Sequence, residues 1–163
     1  LVGAGALRHQ FSLRTANGGE GVRLCREALL GMLQDKRVEV RVAVQTALGP
    51  LLGLESPEVC RKQVSAFVRL GPQDSVDQAV HGLGAMLSAA GSLGVPPWLG
   101  SVIEALAKVG RRPEAKKEVE KIVQAFMKQQ QASRDLWKRC QTRLTPSQMD
   151  LLKVGRGTLS YYA

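Results

Sequence analysis

The most distinctive chemical groups in the sequence stand together at its end. The chain has only two tyrosines, Tyr161 and Tyr162, and both adjoin the carboxylate of Ala163. Aromatic rings can enter an apolar pocket, phenols can form hydrogen bonds, and a terminal carboxylate can pair with a lysine or with backbone N–H groups. We therefore predict that Tyr161, Tyr162 and Ala163 bind a partner as one short peptide ligand. The alternative is a disordered terminal segment without a role.

Catalytic chemistry has little support in the remaining residues. His9 and His81 have no neighbouring ligand pattern, and no Ser-His-Asp or Cys-His arrangement is visible. The chain also lacks a phosphate-binding loop of the Walker or Rossmann type. We predict that the chain is not an enzyme, uses no cofactor and binds no metal, and that His81 is a packing or surface residue.

The cysteines do not form a recognisable pattern either. Cys25, Cys60 and Cys140 are an odd set, separated by 35 and 80 residues. This spacing fits neither a disulfide framework nor a zinc site. We expect three buried, reduced thiols.

Positive charge is the strongest signal in the composition. The net charge is +9 and the isoelectric point is near 9.9, which predicts affinity for something acidic. Residues 111–143 contain ten Lys or Arg against four Asp or Glu, a local charge of +6. This stretch is either a solvated helix face or a surface for an acidic partner, such as inositol phosphate or another polyanion. Nucleic acid is less favoured, because no aromatic residues alternate with the cations to stack on bases.

No segment of the sequence predicts a membrane span or a secretion signal. The longest apolar runs fall short of the roughly 18 residues that a spanning helix needs, and residues 1–10 lack the basic start of a signal peptide. We expect a soluble, intracellular protein without a membrane partner. Since the first residue is Leu1 instead of Met, we also expect a fragment of a longer chain or a truncated gene model.

The elements that position these groups are predicted to be helices. Residues 38–44, VEVRVAV, could be a strand over a short window, but a longer window shows helical spacing. Seven apolar residues recur at helical intervals and predict one buried stripe: Val40, Ala43, Val44, Ala47, Leu48, Leu51 and Leu52. Asp35 is the predicted N-cap of this helix, and Pro50 should kink or fray its last turn. A preceding helix, about 21–34, should bury Val22, Cys25, Ala28 or Leu29, and Met32 or Leu33.

The stripe repeats further along the chain. A shift of 36 positions lays Val40 on Val76, Val44 on Val80 and Leu51 on Leu87, while a second shift gives a degenerate copy at Ala115, Val119 and Val123. Two helices in about 36 residues come close to the HEAT repeat. The remaining helices are predicted at 57–70, 75–90, 98–109, 113–143 with a weak point at QQQAS, and 146–153. Thr145, which precedes Pro146, is the predicted N-cap of the last helix.

These elements predict an all-α fold, specifically an α-solenoid of HEAT-type helical hairpins with a short flexible C-terminal tail. The predicted divisions are a poorly ordered remnant of a preceding repeat at 1–20, the solenoid at 21–153, and the tail at 154–163.

Four motifs in order resemble the C-terminus of one known family. They are Val95-Pro96-Pro97-Trp98 before a helix, Asp135-Leu136-Trp137, the turn that carries Thr145, Gln148 and Leu151, and the final Tyr161-Tyr162-Ala163. Over about residues 74–163 the chain resembles the giant HEAT-repeat proteasome activators, the Blm-type or proteasome activator subunit four family.

The resemblance implies a function for the tail. Tyr161 would be the hydrophobic residue, Tyr162 the central tyrosine and Ala163 the terminal residue of a hydrophobic-Tyr-any motif. In that family this motif enters a pocket between two α-subunits of the proteasome core particle, where the carboxylate pairs with a lysine and the gate is shifted. The resemblance also implies ubiquitin-independent degradation, binding of acetylated histones, roles in DNA repair and spermatogenesis, and a location in nucleus and cytoplasm. A HEAT-repeat scaffold or basic adaptor for an acidic partner or nucleic acid is the alternative function.

Overall fold

The computed structural model describes residues 18–70, 76–93 and 95–154, and helices are the only regular secondary structure within these ranges. The prediction of an all-α protein is therefore confirmed for the described residues. They form eight helices: α1 (Gly18–Met32), α2 (Val38–Gly53), α3 (Pro57–Arg69), α4 (Val76–Leu93), α5 (Leu99–Val109), α6 (Pro113–Gln131), α7 (Arg134–Arg143) and α8 (Pro146–Val154).

Helices α2 and α4 are equivalent members of the sequence repeat, and they lie side by side. Three contacts join residues 36 positions apart. The Arg41 guanidinium lies 2.9 Å from the Asp77 carboxylate, and Nδ1 of His81 lies 2.8 Å from Oε1 of Gln45. A Cβ on Gly49 would lie 3.3 Å from the carbonyl oxygen of Ala85. Since the contacts follow the same order along both helices, α2 and α4 run in the same direction, one repeat apart.

Helix α4 is the centre of the hydrophobic core. It packs between α2 and α6 and also contacts α3 and α5. Most of the residues described in α4 are therefore buried, including Leu83 and Met86, which have no exposed surface. The core continues into α5 through Leu99, Val102 and Leu106.

The predicted stripe on α2 is only partly buried. Val44, Leu48 and Leu52 are buried as expected, but the prediction is wrong for Ala43 and Ala47, which are exposed. Their repeat equivalents in α4, Ala79 and Leu83, are buried. The difference arises because α4 has a helix on each side, whereas α2 has α4 on one side and no equivalent neighbour on the other within the described residues.

The first helix buries most of its predicted face. Of the alternatives Met32 or Leu33, Leu33 is the buried one and Met32 is 48% exposed. Cys25 is exposed, so the prediction of a buried side chain there is wrong. The side chain of Arg26 is instead largely buried, because its guanidinium pairs with the carboxylate of Glu55. Leu33, one turn beyond Leu29 and Leu30, is fully buried.

Two predicted helix ends are corrected. Asp35 is not the N-cap of α2: Arg37 holds that position, and its N–H and guanidinium both donate to Asp35. The hydrogen bond from the Arg37 side chain has the larger effect and the one from its N–H the smaller, and they lower the pKa of the Asp35 carboxyl to about 2.

Residues 113–143 do not form one helix, since Ser133 begins α7 by accepting a hydrogen bond from the N–H of Leu136. A side-chain oxygen at this position satisfies a donor at the new helix start, which explains the break at the weak point QQQAS.

His81 is a packing residue, as predicted. It is 1% exposed in α4, and its ring donates from Nδ1 to the amide oxygen of Gln45. A Cβ on Gly84 would lie 2.8 Å from the Gln45 amide carbon, so the glycine leaves room for this amide. Burial lowers the pKa of His81, and Arg41 adds to this, while Glu118 and Asp77 act in the opposite direction.

The lowered pKa of His81 predicts that the protein loses stability in mild acid. Below an ordinary histidine pKa of about 6.5 the unfolded chain takes up a proton that the folded chain does not, so the free energy of unfolding falls as the pH falls. The slope should approach 1.4 kcal/mol per pH unit at most. Urea unfolding between pH 7.5 and 5.5 measures this effect. His81→Gln should flatten the dependence and His9→Gln should not; equal profiles for all three proteins would contradict the assignment.

The described helices do not test the larger organisation of the chain. The arrangement of the hairpins as a continuous solenoid and the divisions at residues 20 and 153 remain predictions. No helix among the described residues is both long and apolar enough to cross a membrane.

Candidate functional site

The predicted partner-binding residues, Tyr161, Tyr162 and Ala163, lie outside the described residues. The structure describes the helix that precedes them. Helix α8 ends at Val154 and is held against α5. Leu152 in its last turn is 1% exposed, and Met149 and Leu151 pack against the core. The position from which the tail departs is therefore fixed by apolar contacts.

The start of α8 has a reciprocal cap. The Thr145 hydroxyl accepts a hydrogen bond from the N–H of Gln148 at 3.2 Å, and the Gln148 amide oxygen accepts one from the N–H of Thr145 at 3.0 Å. This arrangement is a capping box, which satisfies two backbone donors that the helix leaves unpaired. The predicted N-cap at Thr145 is confirmed.

The same glutamine joins α8 to α5. Its amide nitrogen donates to the Glu104 carboxylate at 2.8 Å. A Cβ on Gly100 would lie 2.4 Å from that nitrogen, so the glutamine occupies space that a side chain at position 100 would fill. Gln148 thus fixes both the start of α8 and its distance from α5.

A second contact joins the end of α7 to the turn before α5. The Arg143 guanidinium lies 3.5 Å from the carbonyl oxygen of Val95, and Trp98, which ends this turn, is 3% exposed. The turn at 95–98 therefore contacts the end of α7, directly before the turn at 145–148. Almost 50 residues separate these two turns in sequence.

We predict that Gln148→Ala destabilises the protein by about 1–2 kcal/mol. The variant loses one half of the capping box and the hydrogen bond to a charged acceptor. Urea denaturation measures the loss, and hydrogen exchange should show it first in the amides of α8. Gln141→Ala, an exposed glutamine on α7, is the matched control and should be near neutral; equal stability of the two variants would contradict the role of Gln148.

The cations of the basic stretch 111–143 are mostly unpaired. Lys121 forms an ion pair with Glu118, and no other Lys or Arg of this stretch has an ion-pair partner within the described ranges. Lys117, Lys121 and Lys128 are exposed and follow one side of α6. These exposed lysines can attract an anion, but they do not converge on a defined anion-binding site among the described residues.

The other candidate groups do not come together. Cys60 and Cys140 are buried, and burial raises the pKa of both thiols. Sγ of Cys140 lies 3.4 Å from the amide oxygen of Gln130. No cluster of three or more His, Cys, Asp or Glu suited to a metal ion is found in the parts of the chain that the structure describes.

An apolar groove of about 300 Å³ opens beside the end of α8. Its floor is aliphatic, from α4, α5, α6 and α8: Leu87, Ile103, Leu106, Val119, Val123, Leu151 and Leu152. Ala107 and Gly110 line its side, and Arg111, Lys116 and Glu120 stand at its polar rim. No apolar pattern in the sequence predicts this groove, because four separate helices form it.

Comparison with known protein families finds a match for the part of the chain that contains α8. The family model described as proteasome activator complex subunit 4-like, C-terminal, matches residues 74–163, just over half of the chain. The chain belongs to this family. The resemblance drawn from the sequence motifs is thereby confirmed over the same residues. No curated protein and no solved structure matches the chain significantly.

Membership of the proteasome activator family changes the interpretation of the site. The family is one of proteasome activators and is not itself catalytic. The matched region begins before α4 and includes α5 to α8 together with the tail. The chain is therefore a proteasome activator segment in which a packed helical end precedes the Tyr-Tyr-Ala sequence.

Proposed function

We propose that this chain binds the α-ring of the proteasome core particle through Tyr161, Tyr162 and Ala163 and promotes gate opening. The observation that carries the proposal is the family match, which extends through these three residues. In the proposed complex the tail enters a pocket between two α-subunits, and the Ala163 carboxylate pairs with a pocket lysine. Peptides that an open gate admits would then be degraded without ubiquitin.

The geometry of α8 supports this proposal. A short ligand on a fixed base loses less freedom on binding than one on a mobile base. Gln148 and Leu152 hold α8 on α5, and Tyr161 to Ala163 stand within nine residues of its last residue. The helices thus present the tail from one defined point.

Deletion of Tyr161 to Ala163 tests the proposal. Binding of the chain to purified core particle is measured by biolayer interferometry, and gate opening by cleavage of a fluorogenic peptide. The deletion should abolish both, whereas Ser160→Ala should change neither. Equal binding and peptide cleavage with and without the three residues would overturn the proposal.

The proposal also includes the solenoid architecture, the binding of histones and the location in the cell. The parallel placement of α2 and α4, one repeat apart, supports a HEAT-type solenoid in which equivalent helices stack. As in the resemblance, we include binding of acetylated histones, action in DNA repair, and a location in nucleus and cytoplasm. No residue is assigned to the acetyl-lysine. Pull-down with acetylated and unmodified histone peptides tests this part, and equal retention of the two would argue against it.

The basic surface favours a second candidate function, a helical adaptor for inositol phosphate, another polyanion or nucleic acid. Its support is the row of exposed lysines on α6. Counterion release would make such binding fall steeply with salt. Fluorescence anisotropy with inositol hexakisphosphate and with duplex DNA, in 50–200 mM salt, tests it. Binding that survives tail deletion but not Lys117→Glu with Lys128→Glu would support the adaptor function; binding unchanged by the charge reversals would exclude this surface.

A further inference from the structure

The apolar groove beside α8 has a chemistry that suits the end of its own chain. Its floor is formed by seven aliphatic side chains, and Arg111 and Lys116 stand at the rim. Neither cation has an ion-pair partner among the described residues. A ligand for such a groove combines a large apolar group with a carboxylate. The sequence Leu159-Ser160-Tyr161-Tyr162-Ala163 combines these groups.

The groove is also within reach of this segment. Leu151 and Leu152 are part of its wall, and α8 ends at Val154 less than one turn later. Nine residues follow Val154, and an extended chain of that length spans about 30 Å. The last described turn of α8 therefore lies beside the groove, and an extended segment of nine residues is long enough to reach it.

Charge complementarity favours this occupant over a neutral apolar peptide. The rim residues Arg111, Lys116 and Glu120 sum to a charge of +1, and the two cations could pair with the carboxylate of Ala163. A tyrosine ring on the aliphatic floor would remove apolar surface from water on both sides.

We propose that residues 155–163 bind this groove in the free protein and must leave it before they bind the core particle. The groove then holds Tyr161 or Tyr162 on its floor and the Ala163 carboxylate near Arg111 and Lys116. The competition part of this proposal rests on the proposed function, since both sites would use the same residues. A docked state that is tenfold favoured would weaken core-particle binding by about tenfold.

The two tyrosines make the docked state directly measurable, since the chain has no others. In the full chain with ¹³C-labelled tyrosine, NMR should show ring signals away from random-coil positions, with nuclear Overhauser effects to Leu and Ile methyl groups. Ala107→Phe, which fills the groove from its side, should move the signals to random-coil positions. The matched control is Ala125→Phe, because Ala125 is an exposed residue of α6 that does not line the groove.

A second variant keeps the test valid if Ala107→Phe does not fold, which circular dichroism would reveal. Arg111→Glu with Lys116→Glu should release the tyrosines, whereas Lys117→Glu, on an exposed neighbour outside the groove, should not. Random-coil tyrosine signals in the unaltered chain would overturn the docking proposal whether or not the core particle is bound. Docked signals in the unaltered chain, with no core-particle binding even by the groove variants that release the tyrosines, would leave the docking in place and overturn the proposed function. If both hold, the groove variants should bind the core particle about 3- to 10-fold more tightly.

Discussion

Amidation of the Ala163 carboxylate should weaken binding to the proteasome core particle by about 100-fold or more. In the proposed complex the carboxylate is desolvated and pairs with a lysine of the α-subunit pocket. Removing one charge leaves the other buried without a partner, which costs about 3–5 kcal/mol in comparable interfaces, and each 1.4 kcal/mol is a tenfold change in affinity. Semisynthesis of the chain with a free or amidated end, followed by biolayer interferometry, measures the ratio.

Substitutions within the tail separate the charge from the side chains. Ala163→Gly keeps the carboxylate and should bind nearly as well as the unaltered chain. Tyr162→Ala loses the central ring and phenol and should be the least tolerated single replacement, while Ser160→Ala should be close to neutral. An amidated chain that binds as tightly as the free acid would show that the carboxylate is not an anchor. A stronger loss for Ala163→Gly than for amidation would contradict the proposed division of roles.

Gly82→Ala should lower the free energy of unfolding by up to about 2 kcal/mol, although alanine is the better helix former. A Cβ at position 82 would lie 2.4 Å from two ring carbons of Phe67, and Phe67 is only 3% exposed. The ring is rigid and surrounded, so α3 and α4 must move apart. Overpacking of this kind costs about 1–3 kcal/mol, which at its upper end exceeds the roughly 1 kcal/mol gained from helix propensity. Urea denaturation at pH 7.5 measures the difference.

Two further proteins test the cause of this loss. Gly21→Ala is the matched control, because a Cβ on Gly21 in α1 would meet nothing within 4 Å; it should be neutral or stabilising by up to about 1 kcal/mol. Phe67→Leu should cost less stability in the Gly82→Ala background than alone, by at least about 0.5 kcal/mol, since the pair is in contact. Additive effects of Gly82→Ala and Phe67→Leu would mean that the ring is not the obstacle.

Much of the candidate site could be predicted from local patterns. Thr145 and Pro146 predict the start of α8 because a helix start needs a side chain that satisfies its backbone donors, and a proline fits its first turn. The four ordered motifs predicted the family for the same reason, since each is a short, local sequence. The binding role of Tyr161, Tyr162 and Ala163 stays a prediction, because these residues lie outside the described part of the chain.

The sequence by itself determined the all-helical fold and the repeat, because spacing of apolar residues at 3.6-residue intervals is a property of one segment at a time. It also placed Gln45 and His81, and Arg41 and Asp77, at equivalent positions of the repeat.

Only the tertiary structure decided which equivalent faces are buried. Ala43 and Ala47 are exposed whereas Ala79 and Leu83 are buried, since burial depends on neighbours on both sides and α2 has one such neighbour fewer than α4 among the described residues. The groove beside α8 depends in the same way on four helices that are distant in sequence, so no single segment could predict it.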